Sequence, residues 1–149
     1  MSLTDTINAE IKKAMLAKEK ERLEALRAVK TAFTMARTEK RGDQELSEDE
    51  ELKIVQKLVK QRKDSADIYK EQAREDLYAK EVAEAEVISE FMPKQMDEVE
   101  LREYLTKLIA EMGASSMQQM GMVMGRATKE LAGKADGKLI SSLVRELLA

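Results

Sequence analysis

Apolar residues recur every three or four positions along nearly the whole chain, the spacing that places them on one face of an α-helix. The first such stripe is Leu3, Ile7, Ile11 and Met15. Ser2 and Asp5 have the spacing of a capping box, in which a hydroxyl and an acidic side chain satisfy free N–H groups at a helix start. The pattern therefore predicts a first helix that begins directly after Ser2.

Three more stripes predict further helices before the only proline. They are Leu23, Leu26, Val29, Phe33 and Ala36 in a second helix; Leu52, Val55, Leu58 and Val59 in a third; and Leu77, Ala85, Ile88 and Phe91 in a fourth. We expect the second helix to reach about Arg41 and to be ended by Gly42–Asp43. Ser47 and Glu50 predict a capping box at the start of the third.

Beyond Pro93 the chain changes in composition, because five of its six glycines lie between residues 113 and 137. Asp97 with Glu100 and Ser116 with Gln119 predict two more capped helix starts, and Gly113 predicts a helix end between them. The expected stripes are Leu101, Tyr104, Leu105, Leu108 and Met112; Met117, Met120, Val123, Met124 and Ala127; and Ile140, Leu143, Val144 and Leu147.

These helices, with no predicted strand, place the chain in the all-α class. We expect an N-terminal long-helix hairpin or bundle over residues 1–92 and a compact C-terminal three-helix unit over 97–149. Residues 93–96 are the expected junction, because proline disfavours helix at the residue before it.

Composition limits the function classes. The chain has no His and no Cys, which excludes a Ser-His-Asp triad, a His general base, thiol catalysis and Cys- or His-ligated zinc. We therefore assign no catalytic residue, no metal and no cofactor. No apolar run reaches the length of a membrane span, and the N-terminus lacks the layout of a signal peptide, so we expect a cytoplasmic protein without a membrane partner.

Charge is patterned more strongly than the net −3 indicates. Residues 12–41 hold ten Lys and Arg against four Glu, whereas residues 43–51 hold six acids and no base. One interpretation is that antiparallel helices pair opposite charges across their surfaces. The other is that a basic helix face contacts a polyanion; on the third helix that face contains Lys53, Lys57 and Lys60.

Two features of the C-terminal region have both a structural and a functional interpretation. The segment Gly133–Lys138 is either a plain turn or an anion contact, since Asp136 can cap the last helix while Lys134 and Lys138 flank its start. The methionines of the Met117–Met124 stretch either line a groove for a ligand or belong to the core, and their helical spacing favours the core. Gly121 and Gly125 are expected to allow a close crossing by a neighbouring helix. In the N-terminal region, Glu81 and Glu84 are expected to form ion pairs with Arg74 or with the third helix, not to bind metal.

The order and spacing of several short motifs resemble those of the GatB/YqeY family. In the C-terminal half they are Met120–Gly125, Gly133–Lys138 and the helix to Leu148. In the N-terminal half they are Arg27, Lys30, Lys60, Arg62, Ser65, Tyr69, Arg74, Leu77, Glu81, Glu84 and the run Met92-Pro93-Lys94-Gln95. The resemblance covers nearly the whole chain and joins YqeY-like proteins to the tail domain of the B subunit of glutamine-dependent Asp/Glu-tRNA amidotransferase.

The resemblance implies a helical module that contacts the body of a tRNA, while amide transfer from glutamine takes place in parts of the amidotransferase that this chain lacks. The family label is carbon–nitrogen ligase activity with glutamine as amide donor. We expect an accessory module without catalysis of its own, which binds tRNA with modest, salt-sensitive affinity. The candidate phosphate contacts are Arg126, Lys129, Lys134 and Lys138, with Lys60, Arg62 and Arg74 secondary. The alternative is an adaptor that docks amidotransferase subunits or another protein through an apolar groove between the subdomains.

Overall fold

The computed structural model describes residues 2–40 and 44–149, and within those ranges it contains seven α-helices and no strand, which confirms the all-α class. The predicted helix break at Gly42–Asp43, and Arg41 before it, lie outside the described residues. The helices are α1 Leu3–Leu16, α2 Lys20–Glu39, α3 Glu48–Glu71, α4 Glu75–Ser89, α5 Glu98–Met112, α6 Met120–Glu130 and α7 Gly137–Leu148, with a single 3-10 turn at Met117–Gln119 before α6.

The chain divides into two compact units, Met1–Met92 and Pro93–Ala149. The first contains α1 to α4, and its core is built mostly from aliphatic side chains. The largest buried ones are Ile7, Ile11, Leu26, Val29, Phe33, Val55, Val59 and Ile88. The second unit contains α5 to α7 around a separate core of Leu101, Leu105, Leu108, Val123, Ala127, Leu131, Ile140, Leu143, Val144 and Leu148.

Two predicted capping boxes in the first unit are confirmed. Ser2 Oγ accepts a hydrogen bond from the Asp5 amide at 3.1 Å, and an Asp5 carboxylate oxygen accepts one from the Ser2 amide. Ser47 and Glu50 repeat this exchange at the start of α3. Lys40 Nζ lies 2.7 Å from Glu50 and is the main reason that the pKa of that carboxyl is lowered. Each box satisfies N–H groups that the first turn of a helix leaves free.

In the first unit, the turn between α1 and α2 and the turn between α3 and α4 contain neither glycine nor proline. Between α1 and α2 Lys18 has φ +57°, and between α3 and α4 Ala73 has the same value. In each turn the next amide donates to a carbonyl five residues back, from Glu19 to Ala14 and from Arg74 to Tyr69. This is the closure typical of a helix end with one left-handed residue. Ordinary side chains therefore hold a conformation that glycine adopts more easily.

Arg22 joins three helices of the first unit. Its guanidinium on α2 donates to Glu90, just after α4, at 2.7 Å and to Glu10 on α1 at 3.2 Å. The hydrogen bond to Glu90 is the main cause of its raised pKa, and the bond from Arg22 is the main cause of the lowered pKa of Glu10. The charges of α1 and α2 thus pair across helices, as the first interpretation of the charge pattern predicted.

In the second unit, the expected cap and end of α5 are confirmed. Asp97 Oδ1 accepts from the Glu100 amide at 2.8 Å, and Gly113 ends the helix with φ +64°. The segment expected to be a junction lies in the second unit, because the Met96 amide donates to the Lys134 carbonyl at 3.0 Å and Gln95 Nε2 donates to the Gly133 carbonyl at 2.6 Å. These bonds hold Gln95 and Met96 within the second unit, and the junction expected over residues 93–96 stays a prediction.

The prediction that Gly121 and Gly125 allow a neighbouring helix to cross closely is wrong. Both residues are exposed, and a Cβ atom at either position would meet no other atom within 4 Å. Met117, which the spacing assigns to the core stripe, is 44% exposed, whereas Met120 and Met124 do pack against the core. The stripe fails at Met117 because this segment begins as a 3-10 turn, where residues are spaced differently around the axis.

Two glycine substitutions in the second unit should change stability in opposite directions. Gly113→Ala places a side chain on a left-handed residue and should destabilise the protein by about 1 kcal/mol. Gly125→Ala removes a poor helix former from an open helical position and should stabilise it by about 0.5–1 kcal/mol. Urea unfolding followed by circular dichroism measures both. A Gly125→Ala protein that is less stable than the parent would mean that α6 is packed on its outward side.

Candidate nucleic-acid interface

The outward side of α6 contains two glycines, next to the exposed side chain of Met122. Val123 and Ala127 are fully buried, and they fix which side of the helix faces the core. At 100° per residue, Gly121, Gly125 and Lys129 then lie on the opposite side, and all three are exposed. The two glycines leave backbone uncovered for a full turn. Another chain can therefore come closer to the axis of α6 here than any larger side chain would permit.

The turn that follows α6 is held by its own backbone and by a neighbouring segment. Leu131 and Ala135 are buried and anchor its two ends, and the Lys134 amide donates to the Leu131 carbonyl at 2.8 Å. The bonds from Gln95 and Met96 described above fix the carbonyls of residues 133 and 134. The turn therefore presents the exposed Lys134 side chain from a well-fixed backbone.

Asp136 caps α7 as expected, because its carboxylate accepts from the Lys138 amide at 3.4 Å. The carboxylate thus occupies the helix start that the sequence offered as a phosphate seat. An anion at this end would meet Asp136 before the free N–H groups. The positive groups left for a phosphate are consequently the side chains of Lys134 and Lys138, which are exposed and form no ion pair within residues 2–40 and 44–149.

The other two candidates in this unit differ from one another. Arg126 Nε lies 2.9 Å from Glu130 one turn along α6, and its NH2 group lies 3.8 Å from Glu111 on α5. Lys129 is exposed, and the described residues provide it with no acidic partner. Arg126 would have to exchange these carboxylates for a phosphate, whereas Lys129 would not.

The secondary candidates lie in the first unit, where each already has a partner within the protein. Arg62 Nε on α3 lies 3.1 Å from Glu84 on α4, and both side chains are about four-fifths buried. Arg74 lies in the turn before α4 and donates to both carboxylate oxygens of Asp76, at 3.3 and 3.2 Å. These bonds are the main cause of the lowered pKa of Asp76 and of the raised pKa of Arg74. Lys60 is half-buried and also has a partner.

Glu84 is expected from the sequence to form an ion pair with Arg74 or with the third helix, and its partner is Arg62 on α3. Arg74 pairs with Asp76 instead. Among the residues that the structure describes, no group of three or more acidic side chains is arranged to hold a metal ion. Arg62 thus joins α3 to α4, and it would have to leave Glu84 to contact a phosphate.

The structure thus places four of the seven candidate residues in the second unit and three in the first. The four follow one another along the chain, from the second half of α6, through the turn, to the start of α7. Sequence reasoning missed the two open glycines as part of this surface. The helical spacing could have shown this, because it places Gly121 and Gly125 on the side of the helix opposite Val123 and Ala127.

Comparison with known proteins identifies the family. The model of the family described as Yqey-like protein matches residues 4–148, which is nearly the whole chain. The chain belongs to the YqeY family. This confirms the family that the sequence motifs resembled. The matched residues span both structural units.

Two kinds of curated relative match this YqeY family member. The mitochondrial protein "Altered inheritance of mitochondria protein 41" of Clavispora lusitaniae is 31% identical over 98% of this chain and 87% of its own length. Its namesake from Pyrenophora tritici-repentis is 27% identical over 95% of this chain and 78% of its own length. A glutamyl-tRNA(Gln) amidotransferase subunit of Thermococcus gammatolerans is 38% identical over 53% of this chain, but the match covers only 13% of that protein.

The comparisons leave the expected location open. No helix within the described ranges has both the length and the hydropathy to cross a bilayer. The fungal relatives carry the word mitochondrial in their names, so the cytoplasmic location expected from the sequence is not confirmed.

The pairing of Arg62 gives a testable consequence. Arg62→Gln removes the cation from a mostly buried pair and leaves Glu84 without a counter-charge, so the free energy of unfolding should fall by about 1–2 kcal/mol. Urea unfolding measures the change, and Arg37→Gln, at an exposed position of α2, serves as the control. Equal stability of the two variants would show that the Arg62–Glu84 pair contributes nothing beyond an ordinary surface pair.

Proposed function

We propose that this YqeY family protein is a tRNA-binding accessory module whose second unit contacts the phosphate backbone of the tRNA body. The observation that carries the proposal is a set of exposed residues that follow one another along α6, the turn and the start of α7, here named the α6–α7 surface: Gly121, Gly125, Lys129, Lys134 and Lys138. It combines an uncovered helix backbone with three exposed lysines that have no acidic partner among the described residues. Phosphate contacts of this kind position an RNA without reading its sequence.

The partial match to glutamyl-tRNA(Gln) amidotransferase subunits of two Thermococcus species supports the choice of ligand. Those proteins are named for an enzyme that acts on a charged tRNA, and the shared segment is a small part of each. The proposal gives this chain the binding role alone. Amide transfer from glutamine would belong to other proteins, because this chain offers neither a His nor a Cys to activate a nucleophile.

The electrostatics support modest affinity. The chain carries a net charge of −3, whereas a dedicated nucleic-acid binder is usually markedly basic. Residues 113–149 hold five basic and three acidic residues, so the positive potential is local to the second unit. Such binding should weaken steeply as salt rises, because each phosphate neutralised by a lysine releases a condensed counterion.

A second candidate function has its own observation. A groove of about 910 Å³ runs between α2 and α4 in the first unit, and it is lined by Ala79, Ala83 and Val87 together with charged side chains of both helices. A helix of a partner protein fits such a groove, in which an apolar face is buried and charges at the rim set the register. The adaptor role would therefore use a groove inside the first unit.

The lysines of the α6–α7 surface can be tested by a charge-neutral double variant. Lys134→Gln/Lys138→Gln should leave stability nearly unchanged, because exposed charges contribute little to folding. It should weaken binding of deacylated tRNA, and the slope of log affinity against log salt should fall by about 0.7–0.9 for each phosphate that a lysine no longer neutralises. Filter binding or fluorescence anisotropy from low to moderate salt measures both quantities.

The matched control is Lys12→Gln/Lys107→Gln, which removes the same charge from exposed positions on α1 and α5. Its salt slope should equal that of the parent protein. If both double variants change the slope equally, tRNA responds only to net charge and the α6–α7 surface is not the site. If tRNA does not bind the parent protein at low salt, the adaptor role becomes the better proposal.

A further inference from the structure

The first unit contains a polar cleft of about 370 Å³ that the proposed RNA contact does not use. It lies where the first turns of α1, the second half of α2 and the start of α3 meet. Its walls come from residues 2 to 51, so it is distinct from the α6–α7 surface and from the groove between α2 and α4. Its size is within the range of small-molecule sites in proteins.

Glu51 lines the cleft, and it is the buried charged residue of the described core, with 2% of its surface exposed. Its Oε2 atom accepts from the Thr4 amide at 2.7 Å and from Thr4 Oγ1 at 2.6 Å. These bonds let α3 cap the first turn of α1. They leave Oε1 without a donor among the described residues, and no described Lys or Arg forms an ion pair with Glu51.

Asn8 lines the same cleft, one turn along α1 from Thr4. Its Oδ1 atom is buried and has no hydrogen-bond partner within the described part of the chain. More than nine-tenths of buried polar groups in proteins have a partner, and leaving one unsatisfied costs about 1–3 kcal/mol. Asn8 Oδ1 is thus the buried acceptor of the cleft without a donor, and Glu51 Oε1, which is open to the cleft, has no donor among the described residues either. Helix capping explains neither of them.

The rim of the cleft has the opposite character. Lys30 and Arg37 stand on α2 with Thr34 between them, all three line the cleft, and both cations are exposed. Seven residues separate them, which corresponds to about 10.5 Å along a helix. Neither forms an ion pair with another described residue, in contrast to Arg22 and Lys40 at the two ends of the same helix. The cleft therefore has acceptors inside and free cations at its edge.

We propose that this cleft binds a small zwitterion, a free α-amino acid. The ammonium group has three N–H donors and would donate to Glu51 Oε1. A small rotation of the Asn8 side-chain amide would let Asn8 Oδ1 accept a second of these hydrogen bonds. The carboxylate would face Arg37 or Lys30, where a guanidinium can bind both of its oxygens. A ligand that is only an anion would leave the inner acceptors unsatisfied, and a ligand that is only a cation would leave the two rim cations unpaired.

The test is an NMR titration of the full ¹⁵N-labelled chain with each neutral L-amino acid, followed by the N-acetyl derivative and the amide of the best ligand. At least one amino acid should shift amide signals in the first turns of α1 and at the start of α3. The N-acetyl derivative lacks the ammonium and the amide lacks the carboxylate. Each should bind about tenfold more weakly or worse, because a charge-assisted bond is missing.

Lys30→Gln/Arg37→Gln changes only exposed side chains, so the protein should fold normally and no longer hold the carboxylate. Binding of the best amino acid should fall by about tenfold. The control Lys12→Gln/Lys20→Gln removes two exposed charges outside the cleft and should bind like the parent protein. Glu51→Gln keeps an acceptor for Thr4 but weakens the ammonium contact, and binding should fall again.

Three results would overturn the proposal. They are the absence of any shift at α1 and α3 with millimolar amino acids, equal binding of the N-acetyl derivative, and unchanged binding in the rim variant. None of them bears on tRNA binding, because the cleft and the α6–α7 surface share no residue.

Discussion

Burial of aliphatic helix stripes is the interaction on which this structure depends. Aromatic residues make up only 3% of the chain, so the cores are built mostly from Leu, Ile, Val and Ala, with Phe33 in the first unit. Full burial of one of the larger apolar side chains contributes about 1.5–3 kcal/mol. Because these side chains have no polar group to place, packing alone decides which side of each helix faces inward. That orientation fixes what is left outside, including the open glycines of α6 and the free lysines beyond it.

The fold could be predicted closely because its signals are local. Ser2, Ser47 and Asp97 mark helix starts, Gly113 marks a helix end, and stripes such as Leu101–Leu105–Leu108 mark buried faces. The turns at Lys18 and Ala73 could not be located in the same way, because neither contains glycine or proline. Their left-handed residues are accompanied by the backbone hydrogen bonds that close the ends of α1 and α3, from Glu19 to Ala14 and from Arg74 to Tyr69.

The candidate sites were predicted less completely, for a physical reason. A lysine or arginine in a sequence does not show whether its charge is already paired. Arg62 and Lys134 look alike along the chain, yet one is held by Glu84 across two helices and the other is free of acidic partners within the described residues. The cleft around Glu51 was missed altogether, since residues 4, 8, 30, 37 and 51 come together only when three helices pack.

The central claim, that the outward side of α6 is a contact surface for tRNA, is tested most directly by Gly121→Ala/Gly125→Ala. Both positions are open, so the two methyl groups should make the isolated protein more stable by about 1–2 kcal/mol. They should at the same time keep a phosphate backbone from approaching the helix. Parallel measurement of unfolding in urea and of tRNA affinity at low salt is therefore decisive. The account predicts a more stable protein that binds tRNA several-fold more weakly, and a more stable protein with unchanged affinity would contradict it.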